Sequence, residues 1–161
     1  MPAGKEHMFA KINCAGLSGI HGFMTEVEAD AQNGIPGLFL TGALSQETSE
    51  ARFRVWNAIR NCGMDIRPKK LTVNISPASL RKEGTAYDLS IAMAILCSLG
   101  ELEDGSLSDL AFLGETGLDG RLKRVNGVLP LALCMRDHGI RGLVIPEGNL
   151  REALSVEDMD I

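Results

Sequence analysis

Small or apolar residues and acidic residues alternate strictly over residues 25–31. This period of two is typical of a β-strand with one solvated face. The turn signal at residues 33–37 and the apolar residues 38–40 that follow predict a hairpin. A further short strand at residues 8–14 would make the first third of the chain a β-meander.

The pattern then changes to a helical period over residues 46–61. Ala51, Val55 and Ala58 fall on one face, and Gly63 follows as a stop signal, so we predict an amphipathic helix. Residues 70–75 are rich in β-branched side chains and predict a strand that ends before Pro77. Residues 88–99 are apolar on nearly every side, which predicts a buried central helix.

The last third predicts short strands at residues 110–113, 121–124 and 143–146, with a helix at 126–138 between the last two. Pro130 falls in the first turn of that helix, where proline is tolerated. The predicted order is βββ-α-β-α-ββ-α-β. It indicates the α+β class, a mixed sheet with helices packed on it, in a single domain over residues 1–161.

Composition narrows the class of protein. The 161 residues are 45% hydrophobic and 23% charged, which is typical of a globular domain. The longest apolar stretch, at 89–99, is shorter than the roughly 20 residues of a membrane-spanning helix, and the N-terminus lacks the apolar run of a secretory signal. We therefore expect a cytoplasmic protein with no membrane partner.

Several kinds of site are excluded by missing motifs. The four cysteines form no C-x-x-C pair, so we expect no metal site. The chain also lacks a phosphate-binding G-x-x-x-x-G-K-[ST] loop, a G-x-S-x-G elbow, an H-E-x-x-H pair and a dinucleotide-binding glycine motif. We expect this chain to hold no cofactor and not to be an enzyme.

The sharpest local feature is the block at residues 74–89, where a strand ends, a polar and basic loop follows and the buried helix begins. The loop and helix start, with Gly84, Thr85 and Asp88, could hold an anion. The alternative is structural: Asp88 is a natural N-cap, and Arg81 and Lys82 belong to a solvated loop.

Eight segments of the chain, from residue 26 to residue 132, resemble the N-terminal domain of the ComM/YifB family of Mg-chelatase-like AAA+ ATPases. One turn departs from the family pattern: residues 42–45 read GALS instead of Gly-Leu-Pro-Asp. The matching segments are EVEAD (26–30), NGIPG (33–37), RFRVWNAI (52–59), KLTVNISPA (70–78), LRKEG (80–84), YDL (87–89), FLGE (112–115) and GVLPLA (127–132).

The resemblance implies a fold like the proteolytic domain of Lon, in the broad superfamily of ribosomal-protein-like β-α-β domains. Lon-like proteases use a serine and a lysine as their catalytic dyad. Those two positions fall at about Ala86 and Leu129 in this chain, so the resemblance implies that there is no peptidase activity.

The resemblance further implies an AAA+ ATPase domain downstream, which would carry ATP and Mg²⁺. This chain would then be a fragment of the whole protein. The expected partners are that ATPase domain and neighbouring subunits of a ring. The parent protein would act on DNA in recombination or natural transformation.

A local basic patch would support single- or double-stranded DNA binding, although the net charge is −5. The alternative is that these basic residues are scattered and only solvated. The candidate residues are Lys69, Lys70, Arg81, Lys82, Lys123 and Arg124, with Arg67 beside them.

Three other hypotheses stay open at this point. The domain could be a residual hydrolase that uses Thr85 or Ser79 with a nearby lysine. It could be a protein–protein assembly module with an exposed apolar surface. It could also be a metal-chelatase subunit, which no carboxylate–histidine cluster in the sequence supports.

Overall fold

The computed structural model describes residues 7–66 and 69–161. Six of the described strands form one mixed sheet in the order β3-β4-β2-β1-β5-β8, and β6 and β7 form a separate ribbon. The strands are β1 (His7–Ser18), β2 (His21–Asn33), β3 (Gly37–Thr41), β4 (Lys69–Ser76), β5 (Leu110–Phe112), β6 (Glu115–Thr116), β7 (Leu122–Lys123) and β8 (Gly142–Val144).

Helices lie at the three positions that the periodicity predicts, and a short helix after the last strand, α5, is not predicted. They are α1 (Gln46–Ser49), α2 (Ala51–Asn61), α3 (Asp88–Ser98), α4 (Val128–Asp137) and α5 (Leu150–Ala153). The helix predicted over 46–61 is divided at Glu50 into α1 and α2. Ser45 begins α1 as its N-cap, because its hydroxyl accepts a hydrogen bond from the Thr48 N–H. None of the described helices has the length and apolar character needed to cross a membrane.

The predicted hairpin between β2 and β3, and the β-meander with it, are wrong. β2 pairs antiparallel with β1 on one side and with β4 on the other. β3 lies beyond β4 and pairs with it in parallel, with Leu38 opposite Leu71. β4 takes the more central position because its apolar residues Leu71, Val73 and Ile75 are fully buried.

One face of the sheet forms the main core. Ile12 of β1, Val27 of β2 and Val73 of β4 lie on this face and are buried. α3 packs on β1 and β2, and its Ile91 and Ile95 are also fully buried. This confirms the prediction of a buried central helix. The α+β class and the mixed sheet are confirmed as well.

The strand directions bring several loops to one edge of the sheet. β5 and β8 run parallel to β1, and β4 has the same direction because it pairs antiparallel with β2. Their carboxyl ends therefore meet at one edge, which we call the carboxyl edge. The segments after β4 and β5, which contain most of the sequence-predicted site residues, begin at this edge.

Candidate functional site

A cleft of about 400 Å³ opens among segments that begin at the carboxyl edge. One wall is the end of β1, including Gly16, and another is the segment before α3, including Ala86. Val125 and Asn126, just before α4, complete the lining. The cleft therefore lies where the Lon resemblance puts its serine position.

Neither resemblance-implied dyad position carries the chemistry of a Ser–Lys pair. Ala86 lines the cleft but has no hydroxyl. Leu129 lies in the first turn of α4 with a partly exposed apolar side chain, and its backbone N–H donates to the Glu152 carboxylate at 2.9 Å. The hydroxyl beside the serine position, Thr85 Oγ1, donates to Glu115 Oε2 at 2.7 Å. This hydroxyl thus contacts a carboxylate where a Lon-like base would be an amine.

Lys82 does not lie on a basic surface, which corrects its place among the DNA-binding candidates. Its side chain is fully buried, and its ammonium donates to the backbone carbonyls of Gly42, at 2.6 Å, and Pro77. The backbone of Lys82 also pairs with Ala43 and Ser45, which holds the loop after β4 against residues 42–45. Burial lowers the pKa of the Lys82 ammonium. Contact with a phosphate would require this side chain to leave its site.

The prediction that Asp88 caps α3 is also wrong. Tyr87 occupies the N-cap position, and Asp88 lies in the first turn, fully buried. Its carboxylate accepts hydrogen bonds from Arg54 Nε at 2.7 Å and Nη2 at 2.9 Å, and from the Thr116 N–H at 3.1 Å. Burial raises the pKa of the Asp88 carboxyl, and the Arg54 guanidinium opposes that shift. Asp88 therefore joins α2, α3 and β6 to one another.

The role of Arg54 is not evident from the sequence. The guanidinium also donates to the Glu47 carbonyl at 3.1 Å, which ties α1 to the same network. Its hydrogen bond to Asp88 raises the pKa of Arg54. The only signal in the sequence is an arginine near the apolar face of a helix, and this signal does not identify a partner 34 residues away.

The electrostatics of the cleft disfavour an anion at the start of α3, which is one of the two interpretations of the sequence. Glu47 and Glu83 both contribute to its lining. Gly84 lies in the cleft wall with a φ of +81°, and its carbonyl accepts a hydrogen bond from the Thr48 hydroxyl at 2.8 Å. An anion in this cleft would be repelled by the two carboxylates, and the Gly84 carbonyl is an acceptor that cannot donate a hydrogen bond to it.

The remaining basic candidates divide between two edges of the sheet. Lys69 and Lys70 begin β4, where Lys69 donates to Asn33 at 2.8 Å and the Lys70 ammonium lies 5.7 Å from the ring centre of Phe39. Arg81 follows the other end of β4, and the two ends of this strand are about 20 Å apart by the rise of a strand. Arg67 lies outside the described residues. The six candidates do not form one surface.

Three of the candidates are exposed on segments that follow strands at the carboxyl edge. Arg81 is exposed and pairs with Glu83 at 3.2 Å. Lys123, in β7 opposite Glu115, and Arg124, directly after it, are also exposed. We call Arg81, Lys123 and Arg124 the basic edge.

Comparison with known proteins identifies the family. Residues 27–149 match the family model described as "Subunit ChlI of Mg-chelatase". The chain belongs to this Mg-chelatase-like family. The match covers α3, the cleft segment before it and the β6–β7 ribbon.

The curated relatives include proteins named ComM and YifB, as the sequence resemblance predicts. Competence protein ComM of Haemophilus influenzae is 35% identical over 142 residues, which is 88% of this chain and 28% of that protein. YifB of Escherichia coli is 41% identical over 106 residues, 66% of this chain and 21% of that protein. An uncharacterized protein of Mycobacterium tuberculosis is 38% identical over 145 residues, 90% of this chain and 29% of that protein. The chain thus spans less than a third of the length of these relatives.

A more distant similarity supports the fold. Lon protease of Acinetobacter baumannii is 22% identical over 163 residues, which is 97% of this chain and 20% of that protein. Together with the mixed sheet and its helices, this match confirms the expected Lon-like fold.

The metal-chelatase hypothesis gains no support from the described residues. Among residues 7–66 and 69–161, no group of three or more histidine, cysteine, aspartate or glutamate side chains is arranged to hold a metal ion. The words "Subunit ChlI of Mg-chelatase" describe the family as a whole and do not assign a chelatase role to this chain.

Proposed function

We propose that this chain is a non-catalytic accessory domain of a ComM/YifB-type ATPase that acts on DNA in the cytoplasm, and that the basic edge contacts the DNA. The chain spans less than a third of its named relatives. As the family resemblance implies, we assign ATP and Mg²⁺ to an AAA+ part of the parent protein and propose that its subunits form a ring. The accessory domain holds neither.

The non-catalytic role rests on the chemistry of the cleft. Ala86 lacks a hydroxyl and Leu129 lacks an amine at the positions where the Lon-like dyad would lie. Lys82 cannot replace that base where it lies, because its ammonium donates to two backbone carbonyls. Thr85 is hydrogen-bonded to Glu115. We expect no cleavage of labelled casein above that of a buffer control.

The observation that carries the DNA proposal is the shared exposure of Arg81, Lys123 and Arg124 on segments that follow the carboxyl edge. Arginine and lysine contact phosphates without reading sequence, and each contact releases counterions. Glu83 and Glu115 lie beside two of these cations and weaken the local positive potential. We therefore expect binding in the range of non-specific affinities, with a Kd of about 10⁻⁴ to 10⁻⁶ M.

Fluorescence anisotropy of labelled single-stranded and duplex oligonucleotides at low salt tests this proposal. The variant carries Arg81→Ala, Lys123→Ala and Arg124→Ala, and the matched control carries Lys69→Ala and Lys70→Ala at the opposite edge. We expect the first variant to lose most of the affinity and the second to keep it. Equal losses in both variants, or no binding by the folded wild-type domain, would contradict the proposal.

A second candidate function is assembly of the ring through an apolar surface. Leu129, Leu150 and Leu154 are exposed by 37%, 40% and 63%, and α4 packs against α5. Leu150→Ser with Leu154→Ser should reduce self-association of the parent protein, measured by sedimentation velocity, and leave DNA binding unchanged. Unchanged assembly in this variant would remove the second candidate.

A further inference from the structure

Acidic side chains line the side of the sheet opposite the main core, beyond the part where α4 packs against β2. Glu26, Glu28 and Asp30 occupy alternate positions of β2 and therefore project to one face. The strand register places Lys11 of β1 opposite Glu28, and Phe9 opposite Asp30. Phe9 is 53% exposed, so this part of the face offers an apolar ring beside the acidic row.

Two neighbouring cavities, of about 560 and 390 Å³, make this face concave around Glu26. Both are lined by Asn13, Glu26 and Ser108. Met24 and Ile140 add apolar surface to the larger cavity, and Phe9 and Lys11 line the smaller one. We call this surface the strand-face groove, defined by Phe9, Lys11, Asn13, Met24, Glu26 and Ile140.

The groove already holds a cation between two carboxylates. The Lys11 ammonium lies 3.6 Å from Glu26 Oε2 and 3.7 Å from Glu28 Oε1. The Lys11 and Glu26 side chains are both 49% exposed, so water screens this pairing. Surface ion pairs of this kind contribute little to stability, and a better-placed cation can displace the lysine. The intramolecular ammonium therefore marks where a partner's cation would lie.

We propose that the strand-face groove binds a basic, extended segment of a partner protein in which arginine or lysine and apolar residues share every second position, so that both kinds of side chain face the groove. Arginine can contact a carboxylate with two parallel hydrogen bonds, which a lysine cannot do. Apolar side chains on the same face of the segment would contact Met24 and Phe9. The acidic row repels phosphates, which disfavours a nucleic acid on this face. This surface is separate from the basic edge, so the inference does not depend on the proposed function.

The test uses a fluorescein-labelled hexapeptide in which arginine and leucine occupy every second position in turn with serine between them, and the same peptide with glutamate in place of arginine. Binding is followed by anisotropy. Glu26→Gln should weaken binding of the arginine peptide, and Lys11→Gln should strengthen it, because it frees both carboxylates. Each change should be about twofold to fivefold, the range of exposed ion pairs. Glu157→Gln, an exposed glutamate near the C-terminus, is the matched control and should change nothing.

Tighter binding by Lys11→Gln cannot result from a damaged fold, so this variant keeps the test decisive. Equal binding of the arginine and glutamate peptides, or no response to Glu26→Gln and Lys11→Gln, would overturn the inference. Oligonucleotide binding that Lys11→Gln abolishes would assign the face to nucleic acid. Self-association that Glu26→Gln abolishes would assign it to a second copy of the chain. Either result would overturn the inference but leave the basic edge untouched.

Discussion

Replacement of Arg54 by methionine should destabilise the domain more than replacement of its partner Asp88 by asparagine. Asp88 is fully buried, whereas the Arg54 side chain is 17% exposed. Removing the arginine leaves a carboxylate inside the protein whose remaining donors, within residues 7–66 and 69–161, are the Thr116 N–H and hydroxyl. Leaving one member of a buried pair uncompensated costs about 3–5 kcal/mol. Because two donors to Asp88 remain, we expect Arg54→Met to cost about 3 kcal/mol, at the lower end of this range.

The complementary substitution, Asp88→Asn, should cost less. The amide oxygen can still accept from Thr116, and the Arg54 guanidinium can turn towards water. Weakened hydrogen bonds of this kind cost about 1–2 kcal/mol. The double variant should cost less than the sum of the two single variants, because the substituted groups are in direct contact.

Urea unfolding followed by Trp56 fluorescence measures these differences. With an m-value of about 2 kcal/mol/M, Arg54→Met should lower the midpoint by about 1.5 M. The loss of stability caused by Arg54→Met should be smaller at acidic pH. Burial without the arginine raises the folded-state pKa of Asp88 above its unfolded value, so stability is lost as pH rises through that pKa. A smaller loss for Arg54→Met than for Asp88→Asn would refute this account of the pair.

Three further predictions concern other buried features. Gly42→Ala should lower the free energy of unfolding in urea by at least about 2 kcal/mol, because φ of Gly42 is +123° and an added Cβ would lie 2.2 Å from a backbone oxygen of β4. Gly63→Ala should cost about 1 kcal/mol, because an added Cβ there would meet open space. Equal losses would contradict the steric argument. The difference in unfolding free energy between wild type and Lys82→Met should increase as pH rises towards the pKa of an unfolded lysine. Burial lowers the folded-state pKa of Lys82, so in this pH range the unfolded wild-type chain binds more protons than the folded one. A difference that does not change with pH would contradict this prediction. Iodoacetamide should modify the exposed Cys62 well before the buried Cys14, because burial raises the pKa of the Cys14 thiol. Mass spectrometry of the native protein measures the order of modification, and the reverse order would contradict the prediction.

The elements of the fold follow from local pattern, whereas their partners do not. The apolar character of α3 and the alternation in β2 and β4 are visible in the sequence because burial imposes the period of each element. The alternation in β2 specifies a half-buried strand but not its neighbour. For that reason the sequence predicts that β3 pairs with β2, whereas in the structure β4 occupies that position.

The site shows the same division between local and tertiary information. Arg81 and Lys82 are adjacent in the sequence, yet Arg81 is exposed and Lys82 is fully buried. The difference depends on carbonyl groups from Gly42 and Pro77, which only the folded chain brings together. The Arg54–Asp88 pair likewise joins two helices that sequence spacing alone does not relate. Ala86 and Leu129 could be located because the family resemblance supplied the alignment.

The salt dependence of DNA binding shows whether the basic edge contacts phosphates. Each phosphate that a basic side chain neutralises on duplex DNA contributes about −0.9 to the slope of log K against log salt. If Arg81, Lys123 and Arg124 all contact phosphates, replacing them with alanine should make the slope shallower by about 2.7. Replacing Lys69 and Lys70 should leave it unchanged. A slope that is the same in wild type and the basic-edge variant would contradict the claim that this edge contacts DNA.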